Sequence, residues 1–516
     1  MKLLKRLLAT LLLTIIMTTV ILWALAKSVN PEVVKAYVST QLANLTHQNS
    51  KVEGDISWHV FPRPGIKITN IQIGDESNSS NYSVRLENLF FNLKITPLLG
   101  GKFVFNEFNV DGFKININPD SSTVSDKVNN ASTSSENAKS SFAQQFAIER
   151  FLLSRGQINI IKDQRKITLS GLQIGAEQFN LQKRLFPLQF KNNIELVDGK
   201  EKILKAHINF KGSTSLSPEL FKAPLTALQN TPLDGQLSIQ NVKIKKFKVT
   251  KISAHTKTKP GILFLNPLTI TLYDGESVGD LNYEFATSKL IVNQTATNVD
   301  SSKFFQDLVD KTLFSGSLDF SIHAQTNLQS ANWHERTSGN GSVTIKDGVL
   351  QTINLDKVVE QTSAQINHLL FGQKTEKEHI LELGQFNNPE FFKGGTNFKL
   401  LTCQYQLKDE KLESNSLVLQ TDKLQLKGDG TLNLSDEKID SRLYAKATIT
   451  DSGIDKIQQL LGGSFPVQIT GTLTEPSVSP DIQKINPMLA KLWIKSTLSK
   501  PVKEIGKAIK TILQAS

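Results

Sequence analysis

From about Val52 to Ile117 apolar residues recur at every second position: Ile66 and Ile68; Leu89, Phe91, Leu93 and Ile95; Phe103 and Phe105; Phe108 and Val110; Phe113, Ile115 and Ile117. A period of two puts such side chains on one face of a strand and their neighbours on the other. The pattern resumes near Ile148 and runs to about Ser479. It is clearest in Leu417 and Leu419; Leu424 and Leu426; Leu432 and Leu434; Ile439, Leu443, Ala445, Ala447 and Ile449; and Val467, Ile469 and Leu473. Roughly 25 to 30 strand-like runs can be counted in all.

A helical period interrupts this in a few places. Pro31 opens a stretch with Val34, Tyr37, Val38, Gln41, Leu42 and Leu45 at helical spacing, and proline fits a first turn. Ser301–Phe314 carries Phe305, Leu308, Val309 and Leu313 on one face, and Leu355–Leu370 carries Val358, Val359, Thr362, Ile366 and Leu369. Ile454–Leu461 stops at Gly462-Gly463, as a helix C-terminus should. These helices are too few to cover so many one-sided strands, and no regular strand–helix alternation points to a parallel sheet. Open sheets rarely pass about 10 strands without curling or splitting. Stacked sandwiches, a membrane barrel and a long curled sheet with a filled interior are the options. A barrel would turn its apolar face outward to lipid and would not carry the N-terminal segment described next.

Leu7–Ala26 contains no charge and is long enough to cross a bilayer as a helix. Lys2, Lys5 and Arg6 precede it, so the N-terminus is expected in the cytoplasm and the body on the far side. The competing reading is a cleaved signal peptide, because Ala24-Leu25-Ala26 has the small-x-small form of a cleavage site. Pro119–Ser141, rich in Ser, Asn and Thr, reads as a linker or mobile loop.

Composition narrows the function. Of 516 residues, 39% are hydrophobic, and no second apolar stretch approaches spanning length, which leaves one anchor and a soluble body. Cys403 is the only cysteine, so no internal disulfide can form, and it reads as a small apolar strand residue. The net charge of +11 suits anionic lipid or nucleic acid, but the basic residues are dispersed and translocation argues against nucleic acid. The densest mid-chain run, Val242–Val249, reads as a strand with one wet, lysine-bearing face.

Candidate chemistry is sparse. Gly275-Glu276-Ser277-Val278-Gly279 matches the nucleophile-elbow pattern, which requires strand, sharp turn and helix. Here Leu281, Tyr283 and Phe285 continue as a strand, so the motif reads as a glycine-rich hairpin turn and the chain as no enzyme. The eight histidines are scattered without metal-ligand spacing, and there is no phosphate or dinucleotide fingerprint; no catalytic, metal or cofactor residue is assigned. The C-terminus is basic. After Pro501 the apolar Val502, Ile505, Ile509, Ile512 and Leu513 share a helical face, with Lys503, Lys507 and Lys510 elsewhere. This segment reads either as a helix lying on an anionic membrane or as one capping the sheet.

Several stretches together resemble the AsmA family of Gram-negative envelope proteins. They are the N-terminal segment with Asn30-Pro31; Gly54-Asp55-Ile56-Ser57-Trp58-His59-Val60-Phe61-Pro62; Gly261-Ile262-Leu263-Phe264-Leu265-Asn266-Pro267-Leu268 leading to Leu272-Tyr273-Asp274-Gly275; Gly341–Leu350; Gly428–Leu434; and Gly471–Pro476. The resemblance implies an inner-membrane-anchored periplasmic protein whose strands form a β-groove lined with apolar side chains and filled by phospholipid acyl chains. It also implies a part in phospholipid movement between the two membranes and in outer-membrane integrity and protein assembly.

The expected fold is therefore mainly β with a few helices: one N-terminal transmembrane helix, then an elongated, curled, antiparallel β-groove in a monomer. The expected divisions are a cytoplasmic tail (1–6), an anchor (7–26), a first helix and groove part (27–118), the loop (119–141), the main groove (142–480) and the basic C-terminal helix (481–516). Expected lining residues are Leu417, Leu419, Leu424, Leu426, Leu432, Leu434, Leu443, Val467 and Ile469. The expected function is a non-enzymatic conduit for phospholipids. The alternative is an assembly factor that holds unfolded barrel strands by edge pairing.

Overall fold

The computed structural model describes residues 31–46, 48–59, 65–74, 82–94, 104–118, 147–221, 224–329, 332–371, 389–448, 452–481, 483–485 and 487. Their secondary structure is overwhelmingly β, with twenty-two strands and five α-helices among the described residues. The chain divides into two compact units, Met1–Leu268 and Thr269–Ser516. The expected anchor (7–26), the 119–141 loop and nearly all of the C-terminal helix lie outside the described residues. No helix among the described residues is long and apolar enough to cross a membrane.

The first unit opens with α1 (Pro31–Thr46), whose Val34, Val38 and Leu42 pack on Val52, Ile56, Ile68, Ile71 and Ile73. Tyr37, expected on that face, is exposed. Two short strands, β1 (Ser50–Val52) and β2 (Ile56–His59), both pair with β3 (Gly65–Ile73). From β3 an antiparallel run continues through β4 (Tyr82–Leu93) to β5 (Val104–Ile117). A second run takes in β6 (Ala147–Lys162), β7 (Arg165–Asn180), β8 (Phe186–Asp198), β9 (Glu201–Thr214), β10 (Leu233–Ile244) and β11 (Phe247–Lys259). The two runs join through β5 and β6, which pair in parallel, a departure from the wholly antiparallel arrangement expected. Residues 118–146 make this possible, because a parallel pair needs a connection of about a dozen residues or more and a tight hairpin cannot supply it. The short helix α2 (Pro224–Gln229) joins β9 to β10.

Left-handed residues stand in register across this sheet: Asn70 in β3, Gly112 in β5, Arg155 in β6 and Gly171 in β7 have φ of 50°, 76°, 52° and 62°. Left-handed residues kink their strands, and Asn70 and Gly112 do so without shifting the register against β4. They also reset the alternation, so Ile66 and Ile68 share a face with Ile71 and Ile73 although the parity changes at Asn70. The expected runs at Phe105, Phe108–Val110 and Phe113–Ile117 are in this way one strand, β5, and Phe103 lies outside the described residues.

The second unit is an antiparallel meander. Its strands are β13 (Gly275–Glu284), β14 (Lys289–Asp300), β15 (Phe314–Asn327), β16 (Ser338–Leu350), β17 (Thr396–Lys408), β18 (Lys411–Gln420), β19 (Leu424–Asn433), β20 (Lys438–Ala447), β21 (Phe465–Thr472) and β22 (Pro476–Pro480). The strand between the two meanders, β12 (Ile262–Leu272), contains the division point.

Three connections at one end of the second meander are helical: α3 (Ser301–Val309), α4 (Leu355–Phe371) and α5 (Ser452–Leu460). Helix α3 is shorter than the expected Ser301–Phe314. Asp300 caps its start by accepting the Lys303 N–H at 3.2 Å, and left-handed Asp310 ends it, so Leu313 is free to pack and Phe314 to start β15. After α5, Gly462 and Gly463 have φ of 80° and 101°, as their sequence position suggested.

Two local expectations are corrected. Val242–Val249 is a hairpin rather than one strand: β10 ends at Ile244, left-handed Lys245 and Lys246 turn the chain, and β11 starts at Phe247. Gly275–Gly279 is the opening of strand β13 rather than a turn; the turn is the preceding Tyr273-Asp274, both with positive φ.

Candidate functional site

Each meander presents one apolar face. In the first unit the registered row Phe91–Phe108–Phe151–Ala176–Leu188 crosses five strands, and the row Val84–Ile115–Ile158–Leu169–Ile194 lies farther along the same strands. Near one end the rings form a chain. Phe108 stacks on Phe151 with centroids 5.8 Å apart and planes at 11°, Phe151 on Phe179 at 5.1 Å, and Phe179 reaches Phe186 at 5.3 Å. Phe151 and Phe179 were not singled out in the sequence; their neighbours across strands, not along the chain, make the run.

The other face is polar, and part of it is closed to water: Ser83 and Asn159 are each 6% exposed. Asn159 donates to Asn116 Oδ1 at 2.8 Å, and Asn116 to Ser83 Oγ at 3.2 Å. Beside the kinks Arg155 bridges two strands, its Nε and Nη2 donating to Asp111 Oδ1 and Oδ2 at 2.8 and 2.7 Å and Nη2 also to Glu87 Oε2 at 2.9 Å. The hydrogen bond from Arg155, seconded by Ser154, lowers the Asp111 carboxyl to about 2.

In the second unit the apolar row next to the helices reads Val299–Leu318–Ile345–Leu401–Leu419–Leu426–Ala445–Phe465. The helices cover it. Phe304 of α3 lies 6.1 Å from Phe320, Val358 and Ile366 of α4 and Ile457 of α5 are fully buried, and Gln458 accepts the Ala447 N–H at 2.7 Å. Thr396 ties the start of α4 to the sheet, accepting the Leu355 N–H at 2.8 Å.

The expected lining residues divide accordingly. Leu419, Leu424, Leu426, Leu443 and Val467 are buried, Leu426 with no exposure at all, so they form a core beneath the helices. Leu417, Leu432 and Ile469, on the same face but farther from the helices, are only half-buried. Leu417 shares the face of Leu419, two residues on, and the bulge between Ser414 and Leu417 brings the even-numbered Leu412 onto it opposite Leu432. Leu434 is corrected: it lies one residue beyond β19, 48% exposed, its N–H bonded to the Glu410 carbonyl in a turn. Val502, Lys503, Ile505, Lys507, Ile509 and Lys510 lie outside the described residues.

Half-buried apolar side chains thus continue along both units past their helical covers: Ile158, Leu169 and Leu196 in the first, Ile322, Val343, Leu407 and Leu432 in the second. Apolar surface costs roughly 25 cal/mol per Å² left in water, and a long exposed patch marks a surface meant to be occupied. A few polar groups sit within it. Asn192, 2% exposed, leaves Oδ1 without a hydrogen bond, and Gln294, which accepts the Ser277 hydroxyl at 2.7 Å, leaves Nε2 without one.

Among the described residues no chemistry assembles elsewhere. Ser277 is buried in a strand with its hydroxyl bonded to Gln294, and no metal-binding cluster occurs among the described residues. Cys403 is half-buried in β17, and burial pushes its thiol up. A 710 Å³ concavity over β15–β19 is lined mostly by side chains of the polar face, among them Ser321, Ser342, Gln404 and Glu413.

The sequence model of the AsmA family matches residues 1–214 and again 211–417. No curated protein and no solved structure matches the chain.

Proposed function

The chain belongs to the AsmA family, and on that premise we propose that it is a non-enzymatic lipid carrier whose apolar sheet faces hold phospholipid acyl chains while the head groups stay in water. The observation that carries the reading is the half-buried apolar face beyond the helices, which no other element among the described residues covers. Acyl chains are linear, need no hydrogen bonds and match a one-sided apolar strip. In this reading residues 7–26 hold the protein in the inner membrane with the N-terminus in the cytoplasm, the body works in the periplasm as a monomer, and phospholipid passes between inner and outer membranes.

The assembly-factor alternative would bind barrel strands at a sheet edge. The described edges favour it less. Strand β22 has proline at both ends, and β1 and β2, which flank β3, are three and four residues long. Short strands and edge prolines are devices that discourage edge pairing. Native mass spectrometry of the purified full chain tests the choice. Co-purified phospholipid that leaves on mild activation is expected, and a lipid-free protein that captures unfolded barrel strands would overturn the carrier reading.

A further inference from the structure

At one end of the first unit three successive hairpins end together: Lys162–Arg165 between β6 and β7, Asp198–Glu201 between β8 and β9, and Ile244–Phe247 between β10 and β11. Within the last few residues of these strands and their turns stand ten basic side chains, Lys162, Arg165, Lys166, Lys200, Lys202, Lys205, Lys243, Lys245, Lys246 and Lys248, against four acidic ones. The acidic groups are partly engaged: Asp198 pairs with Arg165 at 2.9 Å and Glu195 with Lys202 at 3.1 Å.

The placement of the lysines has a cost. Lys243 stands directly opposite Lys205 on one side and Lys248 on the other. Like charges directly opposite each other destabilise a sheet. Lys205 also faces Glu195 in β8, so the row holds three cations to one anion, and a surface with that surplus suits an anion outside the fold.

A second observation says what kind of anion. On the apolar face of the same strand ends the last registered row is Ile160, Ile167, Leu196, Leu204 and Ile244, none of them buried. Ile244 is 47% exposed, and Ile161, pointing to the other face, is 44% exposed. Large apolar groups beside a soluble polyanion such as nucleic acid gain nothing. Beside a bilayer they enter the interface while lysines meet the phosphates, which is how basic amphipathic surfaces bind membranes. Six strands at about 4.8 Å spacing give the rim a width of about 24 Å, enough to cover several head groups.

We propose that this hairpin end is a docking rim for an anionic phospholipid bilayer. The row from Ile160 to Ile244 then forms the mouth through which an acyl chain meets the apolar face. The docking claim stands apart from the carrier reading, since a rim can bind a membrane whether or not the face holds lipid.

The test reconstitutes the full chain through its N-terminal segment in phosphatidylcholine nanodiscs and measures capture of a second population of vesicles. Vesicles of equimolar phosphatidylcholine and phosphatidylglycerol should be captured, in a salt-sensitive way, and pure phosphatidylcholine vesicles should not. The variant K243Q/K245Q/K246Q/K248Q should lose capture by about tenfold or more, and K503Q/K507Q/K510Q should not. K200Q/K202Q, in a separate hairpin, repeats the first test should the quadruple variant unfold. I161S/I244S should weaken vesicle capture but leave binding to heparin unchanged.

Equal capture of neutral vesicles, loss confined to the C-terminal variant, or indifference to the isoleucine changes would each overturn the proposal. Native mass spectrometry of the same variants reads the carrier function separately. Unchanged lipid content with lost capture separates the rim from the face.

Discussion

The ring of Phe113 lies directly over Gly156. A Cβ built on that glycine would stand 2.1 Å from Phe113 Cζ, and the two residues face each other in the parallel pair of β5 and β6. The absent side chain is thus what lets the parallel junction of β5 and β6 close its apolar face. Gly156→Ala is expected to lower stability by about 1–3 kcal/mol through overpacking. Combining it with Phe113→Leu should recover part of that loss, as thermal unfolding of the four members of the cycle would reveal; strict additivity would refute the contact.

The Arg155 cluster sets a pH dependence. Asp111 is held near 2 in the folded protein, below an unfolded carboxyl, so its contribution is fully present above the unfolded value and is lost as pH falls from about 4 through 2. The melting temperature of the parent should therefore decline more over that window than that of Asp111→Asn. The difference should be small, because the pair is largely exposed and screened.

Leu426 and Leu434 make opposite predictions although the alternation joins them. Leu426→Ala empties a site that is closed on every side and is expected to cost about 2–5 kcal/mol. Leu434→Ala, in an exposed turn, should stay within about 0.5 kcal/mol. Urea unfolding of both variants gives the comparison.

A charge tests the carrier reading best where the face is apolar but not sealed. Leu432→Glu and Ile158→Glu should reduce co-purified phospholipid several-fold while leaving the protein folded, because a half-buried carboxylate keeps contact with water but repels acyl chains. Lys427→Glu, on the exposed opposite face, is the control. Lipid content equal to the parent's in both test variants would exclude these positions from the lining.

The period of two was enough to read the strands and their one-sidedness, and the helical period the four main helices, because burial on a single face writes itself into the chain. What it hid were the kinks. Asn70 and Asn298 look like ordinary strand interruptions, yet the first lets two isoleucine pairs of opposite parity share a face and the second does the same for Ala296 and Val299. Each reset made one long strand look like two or three short ones, inflating the strand count. The parallel pair was equally invisible, since nothing in β5 or β6 records direction. The candidate site was legible as a face but not in depth. Leu426 and Leu432 have the same pattern in sequence, and only α4 and α5, packed over one end of the strands, separate a core leucine from an open one.

The alignment of left-handed residues in the first unit has a further meaning. Because Asn70, Gly112, Arg155 and Gly171 sit at one height, the bend belongs to the sheet and not to any single strand. A hairpin inserted between two neighbours, carrying its own glycine or asparagine at that height, would inherit the curvature of its flanks and pass it on. The unit is thereby built to grow by duplication: its length is set by how many hairpins it holds, its cross-section by where each one bends, and evolution can change the first without disturbing the second.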